Sequence, residues 1–365
     1  MKKDKKKKVI IICPHPENVA PNQRLKYEQY FDYLRANNVE ITVRPFISEK
    51  FNDIIYKKGF VVQKIFWTLA GYLQRFITLF SLRRYDVVYI VLWVTPFGPP
   101  VFEWLYVKFS KKVIFDIDDL IFLPNKSQAN SLIAGIKGRT KPIYLMKKAD
   151  HVITCTPYLD KFVRKYNQNT TDISSTINTL KYKPKKDYSI NGRKAVLGWS
   201  GSHSTARFLY WLAPVLKKLS EKGVPFKLRV MGDESFHIDG VDIEAIPWKE
   251  KYEIEEITNY DIGLYPLPDE EWVYGKSGLK ALQYMAAGVP TIASAVGTIF
   301  RIIDNGINGF LVKDEEEWIN TIQRLVEDES LRERIGKKGC EIVEERFSVD
   351  ANKEKYLAIL EETIG

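Results

Sequence analysis

The sequence predicts an α/β protein built from two doubly wound halves, and two observations carry this prediction. The chain has 365 residues, which exceeds the length at which a single hydrophobic core usually stops growing. Short runs of branched apolar residues alternate with helical patterns, which is typical of parallel sheets with helices on both faces. We therefore expect a first domain over residues 1–185 and a second domain over residues 186–347.

The strands of both halves are expected at apolar runs. The first half has five such runs, which begin at Val9, Val39, Asp86, Lys112 and His151. The second half has six, which begin at Ala195, Phe226, Val241, Asp261, Pro290 and Gly309. Between the two series, residues 179–194 are polar and basic without an apolar period, which is typical of an interdomain linker. Ligands of doubly wound sheets bind beyond the carboxyl ends of strands, so the functional residues are expected there.

The charge of the chain is mildly basic and concentrated at one end. The net charge is +9, and residues 1–8 contain six lysines against one aspartate. Such a tail fits attraction to anionic lipid head groups or to phosphate-bearing substrates, and a solvated tail is the alternative. Sequence-specific recognition of nucleic acid normally needs a broader basic face, so no nucleic-acid partner is expected.

The cysteines and the first apolar run predict a cytoplasmic protein. Cys13, Cys155 and Cys340 are widely separated and odd in number, which excludes a disulfide framework and a Cys-x-x-Cys metal site. The apolar run at Val9 is broken by Pro14 and is too short for the core of a signal peptide.

Residues 60–80 form a long apolar segment that Lys64 and Arg75 interrupt. A helix that spans a membrane needs about 20 mostly apolar residues, so these charges argue against one. The pattern instead predicts an amphipathic helix, which either packs on a sheet or lies on a membrane surface. Its apolar face is expected to carry Ile65, Leu69, Tyr72, Leu73, Phe76 and Phe80, and its other face Lys64, Gly71, Arg75 and Thr78.

The segment Leu197–Thr205, LGWSGSHST, is the first candidate site. It reads as a strand, a Gly- and Ser-rich turn with Gly201, Ser202 and His203, and a helical pattern that begins near Ala206. Backbone amides at such a turn bind phosphate oxygens, aided by the positive end of the helix dipole. The alternative is that Ser204 or Thr205 only caps the helix.

The second candidate site is residues 266–294. Gly275 permits a turn, Ser277 and Gly278 open a helix, and Gly288 with Pro290 closes it. Free amides at this helix start and a nearby ammonium group can stabilise the charge that develops on a departing diphosphate. A plain capped helix with solvated lysines is the alternative. The groups concerned are Lys276, Ser277, Gly278, Leu279 and Lys280.

These segments resemble glycosyltransferase family four, the group 1 enzymes, which are retaining and have the GT-B fold. The resemblance rests on GKSGLKALQYMAAGVPTIAS at Gly275, supported by DIDDLIF at Asp116, ADHVITCTPYL at Ala149, LGWSGS at Leu197, DIGLYPLP at Asp261 and NGINGFLV at Asn305. It implies two Rossmann-like domains that face a central cleft, with the nucleotide sugar on the second domain. It also implies that a C-terminal helix, residues 348–365, packs back on the first domain.

The chain departs from the donor motif of this family, which is two glutamates separated by seven residues. Alignment on YMAAG places Gly275 at the first glutamate and Gln283 at the second. In the family the second glutamate usually bonds the ribose hydroxyls, which the amide of Gln283 can also do. The first usually contacts the donor sugar, and Gly275 cannot. Substitutes for it are Lys276 or the acidic run Asp269, Glu270 and Glu271.

Three further donor-site candidates follow from the resemblance. The usual arginine and lysine pair after the first strand of the second half is not evident, and His203 and Arg207 are the candidates in its place. Trp248 lies where the family places its nucleobase, although burial in the core is the favoured interpretation of this side chain.

In the first half, Asp116, Asp118 and Asp119 lie at the end of a predicted strand in FDIDDLIF. An Asp-x-Asp pattern can bind a divalent metal ion. Because the second half resembles a metal-independent donor site, we favour hydrogen bonds between Asp118 or Asp119 and sugar or acceptor hydroxyls, with helix capping as the alternative.

Prolines replace the family's glycines in the loop 14–24 and fix its backbone. Arg24 is then the charge expected to reach the cleft, so the catalytic candidates are Asp118, Asp119 and Arg24.

The resemblance implies retaining transfer of a sugar from a nucleotide diphosphate to a lipid-linked or surface-polysaccharide acceptor. No cofactor, metal ion or protein nucleophile is expected, since amides and helix ends stabilise the leaving group. With the basic tail, this places the enzyme in the cytoplasm, at the inner face of an anionic membrane. The alternatives are a catalytically silent nucleotide-sugar-binding subunit and a sugar-nucleotide epimerase, which would draw its acid and base from Asp118, Asp119 or His15.

Overall fold

The computed structural model describes residues 6–122 and 140–365, except for the side chain of Ser204. Most of the lysine-rich tail, residues 1–5, therefore lies outside the described residues. The chain divides into two compact units, Met1–Ser174 with Asn352–Gly365, and Ser175–Ala351. The domain bounds expected from the sequence, 1–185 and 186–347, stay a prediction.

The first unit is built on a parallel sheet of six strands in the order β2-β1-β3-β4-β5-β6. The strands are β1 (Lys7–Cys13), β2 (Val39–Pro45), β3 (Val87–Val91), β4 (Val113–Asp116), β5 (His151–Thr154) and β6 (Thr170–Asp172). All residues of β3 and β4 are buried. This is the pattern of central parallel strands that are covered on both faces.

The helices of the first unit include one long helix, α4, over the apolar segment identified in the sequence. They are α1 (Pro21–Arg24), α2 (Phe31–Ala36), α3 (Glu49–Ile55), α4 (Val61–Leu79), α5 (Val101–Phe109), α6 (Thr140–Lys148) and α7 (Pro157–Val163). Across residues 6–122 and 140–365, no helix combines the length and apolar character needed to cross a membrane.

The second unit has its own parallel sheet of six strands, in the order β12-β11-β10-β7-β8-β9. The strands are β7 (Ala195–Ser200), β8 (Phe226–Met231), β9 (Ile243–Ile246), β10 (Ile262–Tyr265), β11 (Thr291–Ser294) and β12 (Phe310–Val312). The helices are α8 (His203–Ala206), α9 (Ala213–Glu221), α10 (Glu250–Thr258), α11 (Leu279–Ala286), α12 (Glu315–Glu327) and α13 (Glu329–Ile342).

The last helix, α14 (Val349–Ile364), extends to the end of the chain. The ring of Tyr356 on α14 stacks on Tyr30, with 4.2 Å between the ring centroids. Glu361 forms an ion pair with Lys7 at the start of β1. These contacts fix residues 352–365 within the first unit.

The predicted α/β class is confirmed, since both units have parallel sheets with intervening helices. Each predicted apolar run contains a strand. The sequence did not predict β6, because its three residues, Thr-Thr-Asp, are short and polar. It pairs with β5, at the edge of the sheet.

The predicted linker, residues 179–194, lies inside the second unit, which corrects that interpretation. Lys185 Nζ and Arg193 Nη2 bind the carboxylate of Asp261 at 2.7 and 2.9 Å. Asp261 is 1% exposed. The guanidinium of Arg332 donates to the carbonyl of Tyr188 at 2.7 Å. Lys185 and Arg193 are thus structural partners of a buried carboxylate rather than solvated linker charges.

Candidate functional site

The candidate site lies where the strand order of the second sheet changes direction. β7 lies between β8 and β10, and ligands of doubly wound sheets bind beyond the carboxyl ends at such a point. The segments that leave β7 and β8 are bonded to neighbouring strand ends. Gly201 N donates to Met231 O at 3.0 Å, and Gly232 N donates to Ile246 O at 2.9 Å.

Glycines let these segments approach more closely than any other residue would. Gly232 has φ +108°, and a Cβ there would lie 1.8 Å from the carbonyl oxygen of Gly201. The same Cβ would lie 3.7 Å from Cβ of Trp248. A Cβ on Gly201 would lie 2.4 Å from the ring of Trp199. The backbone at the ends of β7, β8 and β9 is therefore gathered at one place.

Lys280, in the first turn of α11, brings a cation to this place. Its ammonium is 4.5 Å from the centroid of the Trp199 ring and 3.4 Å from Thr205 Oγ1. A Cβ on Gly201 would lie 2.5 Å from Lys280 Nζ. Trp199 is 2% exposed, so the ammonium lies on a buried aromatic surface.

Burial, with a smaller effect from the like charge of Lys276, lowers the pKa of Lys280 to about 7. Both causes, burial and the charge of Lys276, disfavour the ammonium form of Lys280. An anion at this position would supply an opposite charge and favour the protonated lysine. Binding of an anion beside Lys280 would therefore raise the pKa of this lysine.

The start of α11 lies in the same segment. Gly278 precedes the helix with φ +77°, and a Cβ there would lie 2.4 Å from Ile302 Cδ1. Ser277 Oγ lies 2.6 Å from Ser175 Oγ. The predicted helix opening is thus a tightly packed turn, and the first amides of α11, from Leu279 onward, have no acceptors within the helix. These amides add positive partial charge near Lys280.

Gln283 lies one turn further along α11 and is 4% exposed. Because it follows Lys280 by three positions, the two side chains are neighbours on the helix surface. Its amide can both donate and accept hydrogen bonds. Gly275 is buried at the end of a short turn, Glu271–Gly275, and provides no side chain.

The turn after β7 differs in part from the prediction. A capping box links Ser202 and Thr205, so Ser202 is the capping residue rather than Ser204 or Thr205. The helix α8 ends at Ala206 instead of beginning there, and with four residues it contributes only a small dipole. The imidazole Nδ1 of His203 lies 3.1 Å from Asp233 Oδ2.

Arg207, Lys276 and Trp248, three predicted donor-site residues, each contact a neighbouring ring or carboxylate. The guanidinium of Arg207 lies 4.8 Å above the ring of Phe208, and the ammonium of Lys276 lies 5.8 Å from the Trp272 ring. Trp248 is 40% exposed, so the core interpretation of this residue is wrong. It lies beyond the end of β9, where a following chain segment supplies Glu253 Oε1 as the acceptor of its indole N–H at 3.0 Å.

The sequence interpretation missed Trp199, Asp233 and Trp272. Asp233 follows β8 directly after Gly232, so the rule of searching beyond strand ends would have found it. A hydrogen bond from Ser235 and the contact with His203 lower the pKa of Asp233. The Trp272 ring stacks on Phe208 at 5.2 Å. No sequence signal indicated that Trp199 and Trp272 would each lie beneath a lysine.

The aspartates at and just after the end of β4 make contacts of different kinds. Asp116, at the end of β4, is 1% exposed, pairs with Lys26 and accepts a hydrogen bond from Tyr89. Asp119 Oδ1 accepts a hydrogen bond from the amide of the next residue, Leu120 N, at 2.8 Å. The carbonyl of Asp118 accepts from the thiol of Cys155 at 3.3 Å.

The loop 14–24 is fixed by more than its prolines. The buried amide of Gln23 accepts from His15 N at 2.9 Å and donates to His15 O at 3.0 Å. Glu28 Oε2 accepts from Asn18 N at 2.9 Å. Arg24 is the last residue of α1 and is partly buried. Among residues 6–122 and 140–365, no three His, Cys, Asp or Glu side chains form a possible metal site.

Residues 194–328 match the family described as "Glycosyl transferases group 1". This match supports the group 1 glycosyltransferase superfamily for the chain. A segment of 167 residues is 29% identical to the capsular polysaccharide biosynthesis glycosyltransferase CapM of Staphylococcus aureus, and covers 42% of each chain. A segment of 84 residues is 37% identical to trehalose synthase of Pyrococcus horikoshii, and covers 23% of this chain and 20% of the relative. The chain thus spans about a fifth to two fifths of these relatives.

Solved structures resemble nearly the whole chain. Sucrose-phosphate synthase of Thermosynechococcus elongatus aligns with a TM-score of 0.71 at 18% identity, over 98% of this chain and 99% of that one. Anabaena Alr3699/HepE, in complex with UDP and glucose, aligns with a TM-score of 0.69 at 14% identity, over 98% and 100% of the two chains. These likenesses show the GT-B fold.

Proposed function

We propose that this chain is a retaining glycosyltransferase that moves a sugar from a nucleotide diphosphate to a lipid-linked or surface-polysaccharide acceptor. The observation that carries the proposal is the position of Lys280. Its ammonium lies beside the Gly201 turn and at the start of α11, with its pKa lowered to about 7. Both groups belong to the stretch similar to group 1 glycosyltransferases.

In the proposed complex, the diphosphate of the donor lies against the Gly201 backbone and the first amides of α11, with Lys280 between them. Gln283 bonds the ribose hydroxyls, and the exposed ring of Trp248 contacts the base. His203, oriented by Asp233, is a further phosphate ligand. UDP and glucose in the structure of Alr3699/HepE support a nucleotide sugar as the ligand class.

The chemistry follows from the charge that develops during transfer. The bond between the anomeric carbon and the diphosphate oxygen breaks, and negative charge grows on that oxygen. Lys280 and the amides are already oriented toward this oxygen, so they stabilise its charge without the reorganisation that water would need. The acceptor hydroxyl attacks from the face that the diphosphate leaves, and its proton passes to the departing phosphate. No cofactor, metal ion or protein nucleophile takes part in this proposal.

The donor sugar is recognised by groups other than the first glutamate of the family motif, whose position is Gly275. Asp269 accepts a hydrogen bond from the Tyr274 hydroxyl at 2.9 Å, and Glu270 accepts from the Trp272 indole at 2.9 Å. These contacts orient two carboxylates just before Gly275. Lys276 is the alternative sugar contact.

The acceptor and the location complete the proposal. Similarity to CapM supports a surface-polysaccharide precursor as the acceptor class, and the lysine-rich tail supports a cytoplasmic enzyme at the inner face of an anionic membrane. The second candidate function is a catalytically silent nucleotide-sugar-binding subunit. Gly275 and Gln283, in place of the family's two glutamates, favour this alternative.

The test is metal-free binding and hydrolysis of a panel of nucleotide sugars, with thermal shift, calorimetry and nucleoside diphosphate release as readouts. We expect one donor to stabilise the protein and to be cleaved slowly. Replacing Gln283 removes one or two hydrogen bonds to ribose, so Gln283→Ala should weaken binding by about tenfold. Gln168→Ala changes an exposed glutamine of the first unit and should have no effect.

The outcomes separate the two functions. A donor that binds but is never cleaved, with or without acceptor, would support the silent subunit. Equal binding by the wild type and Gln283→Ala would remove the ribose role of Gln283, and binding of no nucleotide sugar would contradict both functions.

A further inference from the structure

The helix α4 presents an apolar surface to solvent. Nine large apolar side chains on or beside it are each at least half exposed, and we call them the apolar stripe. They recur at intervals of three and four residues and therefore lie on one face of the helix, over a length of about 28 Å. The apolar stripe consists of Val61, Val62, Ile65, Phe66, Leu69, Leu73, Phe76, Ile77 and Phe80.

The opposite face of α4 is tied into the first unit through a buried arginine. Arg75 is 0% exposed. Its guanidinium donates to the carbonyls of Cys13, Arg44 and Val94, each at 2.8 Å. Because these acceptors lie at the ends of β1 and β2 and just beyond β3, the arginine fixes the rotation of α4 about its own axis. The apolar stripe cannot turn inward unless these three hydrogen bonds break.

Close packing on the same side reinforces this orientation. A Cβ on Gly71 would lie 2.8 Å from the ring of Phe46, so the helix backbone lies directly on that ring. The hydroxyl of Tyr72 donates to Phe97 O at 2.8 Å, which joins α4 to the segment before α5. Gly71, Arg75 and Thr78, which the sequence pattern placed opposite the apolar face, are thus buried, and Tyr72 of the expected apolar face packs beside them.

The helix α5, whose Phe102 ring packs on the Tyr72 ring of α4 at 5.6 Å, also exposes apolar side chains. Val101 is 50% exposed and Trp104 is 46% exposed. The ammonium of Lys108 lies 4.8 Å above the Trp104 ring. Nine large apolar side chains, each at least half exposed on one helix face, differ from the single scattered apolar residues that soluble proteins normally expose, which marks the apolar stripe as an interaction surface.

The charges around the apolar stripe identify its partner. Residues 54–85 contain no aspartate or glutamate. Lys57 and Lys58 are exposed before the start of the stripe, and Arg83 and Arg84 are exposed after its end. An apolar face with cations at both ends matches the acyl boundary and the anionic head groups of a membrane.

We infer that α4 docks the first unit on a membrane leaflet that contains anionic lipids. The helix lies parallel to the surface, with the apolar stripe in the boundary between head groups and acyl chains. Lys57, Lys58, Arg83 and Arg84 contact lipid phosphates. This inference rests on the membrane location in the proposed function and names the surface that provides it.

The test is flotation of the full-length protein with lipid vesicles. Wild type is expected to float with vesicles of phosphatidylcholine mixed with phosphatidylglycerol, and much less with phosphatidylcholine alone. Leu69→Glu with Leu73→Glu places two carboxylates in the apolar stripe and should reduce flotation by at least about tenfold. Leu180→Glu is the matched control, because Leu180 is 95% exposed in the second unit, and it should float like wild type.

A second variant tests the contribution of charge. Lys57→Gln with Lys58→Gln should reduce flotation several-fold on the mixed vesicles and leave the weak binding to phosphatidylcholine unchanged. Wild type that stays unbound to the mixed vesicles would overturn the inference. Equal flotation with both kinds of vesicle would overturn the requirement for anionic lipid.

Two controls separate membrane docking from dimer formation and from misfolding of the variant. Sedimentation velocity of the wild type without lipid should show a monomer. If the wild type is instead a dimer and the Leu69→Glu, Leu73→Glu variant is a monomer, the apolar stripe binds a second copy of the chain and the inference is overturned. Thermal unfolding of this variant should match wild type. Nucleotide-sugar cleavage in lipid-free buffer should be unchanged, so a failure of glycosyl transfer and a failure of membrane docking are distinguishable.

Discussion

The lowered pKa of Lys280 predicts that binding of the donor depends on pH. The free protein holds Lys280 with a pKa of about 7, because burial disfavours the ammonium. A bound diphosphate stabilises the charged form and raises this pKa. Binding must therefore be accompanied by uptake of a proton whenever the pH exceeds the pKa of the free lysine. Nearly all of the lysine is already charged at about pH 6, whereas only about a tenth is charged at about pH 8.

This population difference sets the magnitude. If the complex keeps Lys280 charged up to about pH 9, the dissociation constant should rise by about tenfold between about pH 6 and about pH 8. Nucleotide sugars suit the measurement, because their phosphate diesters do not titrate in this range. The assay is calorimetry in two buffers of different ionisation enthalpy, which measures affinity and proton uptake together.

Two variants make the assignment specific. Lys280→Met should bind the donor more weakly at every pH and without the pH dependence. Lys217→Met, an exposed lysine on α9, should behave like wild type. An affinity that stays constant from about pH 6 to about pH 8 in the wild type, or a pH dependence that survives in Lys280→Met, would refute this account of the lysine.

Two further predictions concern close packing and buried charge. In Gly232→Ala the new Cβ would lie 1.8 Å from the Gly201 carbonyl oxygen, so this carbonyl must move. Calorimetry should therefore show donor binding weakened by at least about tenfold. The control is Gly240→Ala, at a glycine with φ +82° and open space around it, which should cost about 1 kcal/mol of stability and leave binding unchanged. Asp261→Asn leaves Lys185 and Arg193 without their carboxylate and should cost about 3 kcal/mol in urea unfolding at neutral pH. Burial alone would raise the pKa of Asp261, but Arg193 and Lys185 lower it below 3.8. The stabilisation by this carboxylate is therefore lost only as the pH falls below that value. A difference in stability between wild type and Asp261→Asn that persists at lower pH would contradict the assignment.

The sequence predicted the elements of the fold far better than their orientation. The period of residues 60–80 correctly predicted a helix, but it could not show which face would be exposed. That face is determined by Arg75, whose acceptors Cys13, Arg44 and Val94 are distant in sequence. The rule that polar faces meet solvent fails here because a buried guanidinium with three carbonyl acceptors is well satisfied.

Long-range pairing is also the reason that residues 179–194 were misinterpreted. Lys185 and Arg193 look like solvated linker charges until Asp261 is placed beside them. The error on Trp248 has a similar cause, since its exposure depends on where the chain turns after β9 rather than on residue type.

The candidate site was predictable where the strand-end rule applied. That rule located Gly201 and the segment Gly275–Lys280, which the structure brings together through the contact between Lys280 and the Gly201 turn. It did not reveal the aromatic support of Lys280, because Trp199 lies within β7 rather than beyond it. An aromatic side chain that packs under a lysine ammonium, as Trp199 does, follows no recognisable spacing in the sequence.

The central claim is that the Lys280 site binds a nucleotide sugar and stabilises its departing diphosphate. The most direct measurement is nucleoside diphosphate release from the donor identified by binding, with a chelator present and with an acceptor from a membrane extract, followed by proton NMR of the anomeric centre. We predict release by the wild type, slower release by Lys280→Met, and a product with the anomeric configuration of the donor. Absence of release from every nucleotide sugar, or equal release by Lys280→Met, would contradict the account.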